Sequence, residues 1–184
     1  MADAMATASA NSAALGWIAL IEQDEIDKVW ASMTNDFRLV VVQNWIWNNP
    51  EVMAEPTVTG SRDELAAELS APERSHPLWT RGLAGVAERG LRGVTTDVLA
   101  GREYGAGVRP RPAGVDLELV RVLPLNELAV DEDGFHIFAP GQLVECVSLL
   151  MRRVDDGWRV AGAGGWLPRP GWPPEFEMIV ELSD

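Results

Sequence analysis

The segment at residues 143–166, LVECVSLLMRRVDDGWRVAGAGGW, constrains this chain more than any other. Two apolar-rich runs flank Asp155-Asp156-Gly157, where a turn dipeptide precedes a glycine free to adopt positive φ. Residues 143–153 read as one long strand and residues 158–166 as its antiparallel return. Paired long strands near the C-terminus, after helices near the N-terminus, suggest a curved antiparallel sheet that wraps around something.

The N-terminal part carries the helix signals. Ser12 is a candidate N-cap, with Leu15, Ile18 and Ile21 on one face and Trp17 and Leu20 beside it. Asp24 caps a short second helix, in which Ile26, Val29, Trp30 and Met33 follow the i, i+3, i+4, i+7 pattern. Residues 37–47, FRLVVVQNWIW, are β-branched and aromatic and read as a strand. Ser61 opens SRDE, a capping box in which Glu64 reaches back. Leu65 and Leu69 share a face of that helix. A further helix over residues 77–89 is expected to end at Gly90. From Val94 onward the pattern is all-β, with strands expected at 94–104, 115–123, 127–130, 135–138, 143–153 and 158–166. Glycine and proline turns separate them. The Pro-rich end, LPRPGWPPEFE, is excluded from a central strand and is expected over the surface.

The expected class is therefore α+β: N-terminal helices packed on a strongly curved antiparallel sheet forming a conical half-barrel. Residues 1–11 are expected to fray, 12–167 to form a single domain, and 168–184 to form a Pro-rich tail. A cone of this kind encloses an apolar cavity of the sort that ligands occupy.

Charge and composition narrow the function. The chain has 184 residues, 47% of them hydrophobic, and a net charge of −13 from 15 basic and 28 acidic residues. No dense basic cluster exists for a nucleic-acid groove, Arg109 and Arg111 being the nearest approach, and anionic membranes are disfavoured for the same reason. No apolar run approaches the roughly 20 residues of a membrane-spanning helix. Cys146 is the single cysteine and reads as a buried small hydrophobe. No signal-peptide pattern is present, so the expected location is cytoplasmic. No zinc spacing and no phosphate loop occur, so no metal and no cofactor are expected.

Two segments carry a family resemblance. ALGWIALIEQDEIDKVWASMTNDFRLV gives a helix, an acidic break, a short helix and an Asp-Phe entry into a strand; VSLLMRRVDDGWRV gives a final hairpin. Together with the element order over residues 12–166, they resemble the nuclear transport factor 2-like superfamily. That group includes ketosteroid isomerases, SnoaL-like polyketide cyclases, scytalone dehydratase and limonene epoxide hydrolase. The resemblance implies the conical fold and an apolar pocket, and it specifies no reaction. The isomerases' helix tyrosine falls here on Trp17. Their base aspartate falls near Val41, Gln43 or Asn44, and their second acid on Leu149. Arg153-Val154-Asp155 is the only Arg-x-Asp sequence, and it lies at a hairpin turn. Scytalone dehydratase places two histidines in its pocket; the two in this chain are His76 and His136.

Glu145 is the sharpest catalytic candidate, because strand alternation sets it on an apolar face with Val147, Leu149 and Met151. Buried there, its pKa would rise to suit proton transfer. His136 is its expected partner, an imidazole being suited to proton transfer near neutral pH. Trp17, Trp45, Trp47, His76 and Trp79 are the expected ligand-binding residues, forming aromatic walls for a flat apolar molecule. One reading is a cofactor-free isomerase, dehydratase or cyclase that binds a small apolar substrate. The alternative is a non-catalytic binding or interaction module. A homodimer through the outer sheet face is expected from the two-sided apolar strand at 143–150.

Overall fold

Ser9 begins the first helix. Its side chain accepts the Ser12 N–H at 3.2 Å, so α1 (Ala10–Glu22) starts one turn ahead of the expected cap. The computed structural model describes residues 9–107, 110–154 and 157–179. Arg109, Asp155 and Asp156, and most of the segment expected to fray, lie outside the described residues. Ala10, Ala14, Trp17, Ile18 and Ile21 form the buried stripe of α1. The short α2 (Ile26–Ala31) buries Val29 and Trp30.

Residues 37–47 are helical, which corrects the strand expected there. They lie in α3 (Asn35–Asn48), whose N-cap Thr34 accepts the Phe37 N–H through Oγ1 at 3.3 Å. Asn44, Trp47 and Asn48 form its exposed stripe, at helical spacing, while Val42 and Gln43 are buried in succession, which a strand does not allow. The β-branched run is overridden because this helix is buried around most of its circumference, where packing outweighs local propensity. Arg38 shows how deep it lies. The residue is 5% exposed, and its Nε donates to the Ser70 carbonyl at 2.7 Å. Its Nη1 donates to the carbonyls of Met33 (2.5 Å) and Trp30 (3.4 Å).

The Ser61 capping box forms as the sequence implies and starts α4 (Arg62–Leu69): the Ser61 N–H donates to Glu64 Oε2 at 2.7 Å, and the Glu64 N–H donates to Ser61 Oγ at 3.2 Å. The next helix begins at Pro77 with a π-helical turn at Trp79–Leu83 and continues as α5 (Ala84–Leu99). It passes through Gly90 and Gly93 and stops before Gly101, which takes φ +68°. Gly90 is therefore not the cap, and most of the strand expected at 94–104 is helix. Leu83, Ala87, Leu91, Thr95 and Leu99 are all buried at four-residue spacing, and that stripe outweighs the cost of two internal glycines.

The strands are β1 (Tyr104–Ala106), β2 (Arg111–Gly114), β3 (Leu117–Pro124), β4 (Ala129–Val130), β5 (His136–Ile137), β6 (Val147–Val154), β7 (Gly157–Ala163), β8 (Trp166–Arg169) and β9 (Glu175–Met178). The main sheet runs β1-β3-β6-β7, with β2 also pairing β3, and every pair is antiparallel. It is an open sheet, not a closed barrel. The β6–β7 pair is the hairpin that dominates the sequence, shorter at its start than expected; Val154 pairs with Gly157, whose φ is +147°. Strands β4 and β5 form a separate hairpin, as do β8 and β9.

Alternation divides the sheet into two faces. Val120, Val122, Val147, Leu149, Met151 and Val160 pack into the main core with the helices. Leu117, Leu119, Leu150 and Ala161 face the other way, under Ala113, Leu167 and Ile179. The apolar outer face that suggested a dimer is thus partly covered by the chain's own C-terminal hairpin. The Pro-rich end is more ordered than a surface tail, since Trp166 pairs with Met178 and Pro168 with Phe176. Gly162 permits this arrangement, because a Cβ there would collide with the Trp166 carbonyl oxygen. At the free edge of β7, the Thr34 N–H donates to the Val160 carbonyl at 2.8 Å, and the Val160 N–H donates to the Ser32 carbonyl at 3.1 Å.

Candidate functional site

The two residues expected to exchange protons do not meet in a pocket. Glu145 is exposed in the irregular segment before β6, because the strand starts only at Val147. His136 is exposed on the separate β4–β5 hairpin. An exposed carboxylate ahead of the strand lies on no apolar face, so the burial for which Glu145 was chosen is missing.

The expected ligand-binding residues fill several roles. Trp17 is buried, and its indole N–H donates to the Val29 carbonyl at 3.3 Å. It lines a cavity of about 360 Å³ between α1 and the sheet, together with Met151, Trp158 and Val160. Trp45 is core, against Gly82, where a Cβ would sit 2.9 Å from its ring. Trp47 is 48% exposed on the opposite side of α3, so the two do not share a face. Trp79 packs against Trp30 with ring centroids 4.5 Å apart, and the Arg74 guanidinium lies 5.0 Å from its centroid. His76 is buried as a helix cap, its Nδ1 accepting the Leu78 N–H at 3.1 Å. These last two therefore hold the start of the long helix.

A more apolar site lies elsewhere, between α3, α5 and the β8–β9 hairpin. It is a groove of about 280 Å³. Phe37 and Val41 form one wall, Val86, Leu91 and Val94 another, and Trp166 and Phe176 the third. Each element supplies what its position demands. Helix α3 offers the flank of its buried stripe. Helix α5 offers Gly90, where the missing side chain leaves open space within 4 Å. The hairpin brings in two aromatic rings that are 40% and 49% exposed. Asn44 supplies the polar side chain of the lining, and no carboxylate or imidazole is part of it.

Neither Trp166 nor Phe176 is among the residues expected to bind a ligand. Both reach the groove only because Gly164 and Gly165, at φ +68° and +77°, reverse the chain after β7. That glycine pair was the available signal.

Among the described residues, no three His, Cys, Asp or Glu side chains converge as metal ligands. No described helix is long and apolar enough to cross a membrane. Comparison with family models, with curated proteins and with solved structures gives no match.

Proposed function

We propose that the chain binds a small apolar molecule in the groove between α3, α5 and the β8–β9 hairpin and leaves it chemically unchanged. One observation carries this reading. The groove joins aliphatic and aromatic walls around a single polar side chain, Asn44, and contains no proton-transferring group. Its volume of about 280 Å³ is just below the roughly 300–1,000 Å³ typical of ligand pockets, which fits a small aromatic molecule better than a steroid. The kinship with the nuclear transport factor 2-like superfamily, and the half-barrel it implies, belong to the same proposal. Their support is the order of α1 and α2 ahead of the meander β3-β6-β7. Helix α3 in place of the first strand is the departure.

Gly90→Leu tests the site, because Gly90 lines the groove and a Cβ there meets no existing atom within 4 Å, leaving room for the side chain to enter. Gly93→Leu is the control, on the same helix with equally open space and no place in the groove. Binding of neutral N-phenylnaphthylamine, followed by its fluorescence, is expected for wild type and Gly93→Leu and to be lost in Gly90→Leu. Equal binding by all three proteins sinks the proposal.

A second reading, an interaction module that pairs with its own copy, is favoured by the β4–β5 hairpin. Val130, Phe135, Ile137 and Phe138 are exposed along it, and Leu143 beyond it is 97% exposed. A two-stranded hairpin showing this much apolar surface is marginal alone and gains from a cover. Light scattering decides: a dimer that Phe135→Ser converts to monomer supports this reading, and a wild-type monomer removes it.

A further inference from the structure

The chain is strongly acidic, yet three guanidinium groups line one cleft. It opens at the N-terminus of α3 and measures about 580 Å³, lined by Thr34, Asn35, Asp36, Arg38, Arg152, Val154 and Arg159. The arginines come from three elements, α3, β6 and β7, so the fold and no local motif gathers them. Asp36 is the single carboxylate in this lining. Arg38 is held in place by the carbonyls of Ser70, Met33 and Trp30. Burial, and then the nearby Arg159 charge, push its pKa down, with Glu73 opposing them. Arg159 donates to the Ala31 carbonyl at 3.3 Å. Arg152 differs: its Nε is buried and has no hydrogen-bond partner in the protein. A guanidinium N–H so placed is a donor in need of an acceptor. Asn35 and Asp36, the first residues of α3, line the same space, where the helix dipole adds partial positive charge.

A second cavity of about 470 Å³ continues from this cleft and shares Thr34, Asp36 and Arg152 with it. Its walls are Ala161, Leu167, Pro168 and Pro170, with Arg169 and Glu175 at the rim. Arg169 is already paired with Glu177. The combined shape has a cationic end, an apolar shelf, and two carboxylates, Asp36 and Glu175, which accept hydrogen bonds from hydroxyl groups.

We infer that this cleft binds a small hydroxylated organic phosphate, with the phosphoryl group on Arg152 beside Arg38 and the carbon body along the Leu167–Pro170 shelf. Guanidinium groups match phosphoryl oxygens in geometry and charge. The site shares no lining residue with the apolar groove.

Titration calorimetry with glycerol 3-phosphate and with inorganic phosphate tests it. Saturable binding of both is expected, several-fold tighter for the ester and weaker at higher salt. Arg152→Gln should lose at least tenfold in affinity, while Arg153→Gln, on the exposed neighbouring position, should not. Amide chemical shifts of the wild-type protein make the test independent of any variant's folding: changes should centre on Asn35, Asp36 and Arg152. Absence of saturable binding, equal loss in both variants, or shifts centred elsewhere would overturn the site. Equal affinity for the two phosphates would overturn the organic ester.

Discussion

The Tyr104 hydroxyl donates to Glu22 Oε2 at 2.8 Å, joining the first strand of the sheet to the end of α1 across 82 positions of sequence. Burial, and then Glu22, push the phenol up to about 12, against about 10 for a free tyrosine. Both causes favour the protonated form. The stability they contribute is complete below about pH 10 and is lost as pH rises through about 12. Tyr104 is the only tyrosine, so phenolate absorbance reports on it alone. We predict a native midpoint near 12 that falls only partly in Glu22→Gln, since burial is the larger cause. A wild-type midpoint at the free value would contradict the contact.

The capping box at Ser61 makes a prediction at the other end of the pH scale. The Ser61 N–H, and then its hydroxyl, hold the Glu64 carboxyl below its usual range. Its contribution is present at neutral pH and disappears as pH falls through the depressed pKa. Ser61→Ala should cost about 1 kcal/mol in urea unfolding at neutral pH, and less under acid conditions.

Arg38→Met should be far more damaging than its surface-like composition suggests. The substitution keeps much of the side-chain volume but leaves the carbonyls of Ser70 and Met33 without their donor. Loss on the order of 3 kcal/mol is expected, because each hydrogen bond involves a charged donor in a buried place. A loss under about 1 kcal/mol would mean that water replaces the guanidinium.

Gly162→Ala should separate the C-terminal hairpin from the sheet. The new methyl group meets the Trp166 carbonyl, which is backbone and cannot rotate aside. Destabilisation of about 1–3 kcal/mol is expected, with Trp166 emission moving toward that of exposed tryptophan. Gly93→Leu runs in the opposite direction. It fills open space on a helix and should stabilise by about 0.5–1 kcal/mol.

The elements with a self-contained local signal were legible. Ser61 with Glu64, the Gly157 turn, and the alternating strands β3 and β6 each carry their cause within a few residues. Helix α3 was not, because Val40-Val41-Val42 favours a strand locally and its helical form follows from burial around Arg38. Helix α5 was cut short on paper because Gly90 looks like a stop until the buried stripe from Leu83 to Leu99 is seen whole. The candidate sites were the least legible. Phe37, Leu91 and Phe176 lie far apart in sequence and meet only after the C-terminal hairpin folds back. Arg38, Arg152 and Arg159 likewise share no motif.

Ser32 and Thr34, which lead into α3, also occupy the outer backbone groups of β7 at Val160. An uncovered strand there would be a template for a neighbouring molecule. The opposite edge is divided between the short strands β1 and β2, and β2 carries Pro112 and a register shift. Neither border of the sheet therefore offers a long, regular row of donors and acceptors. Such interrupted borders disfavour edge-to-edge pairing between molecules even though the sheet is open.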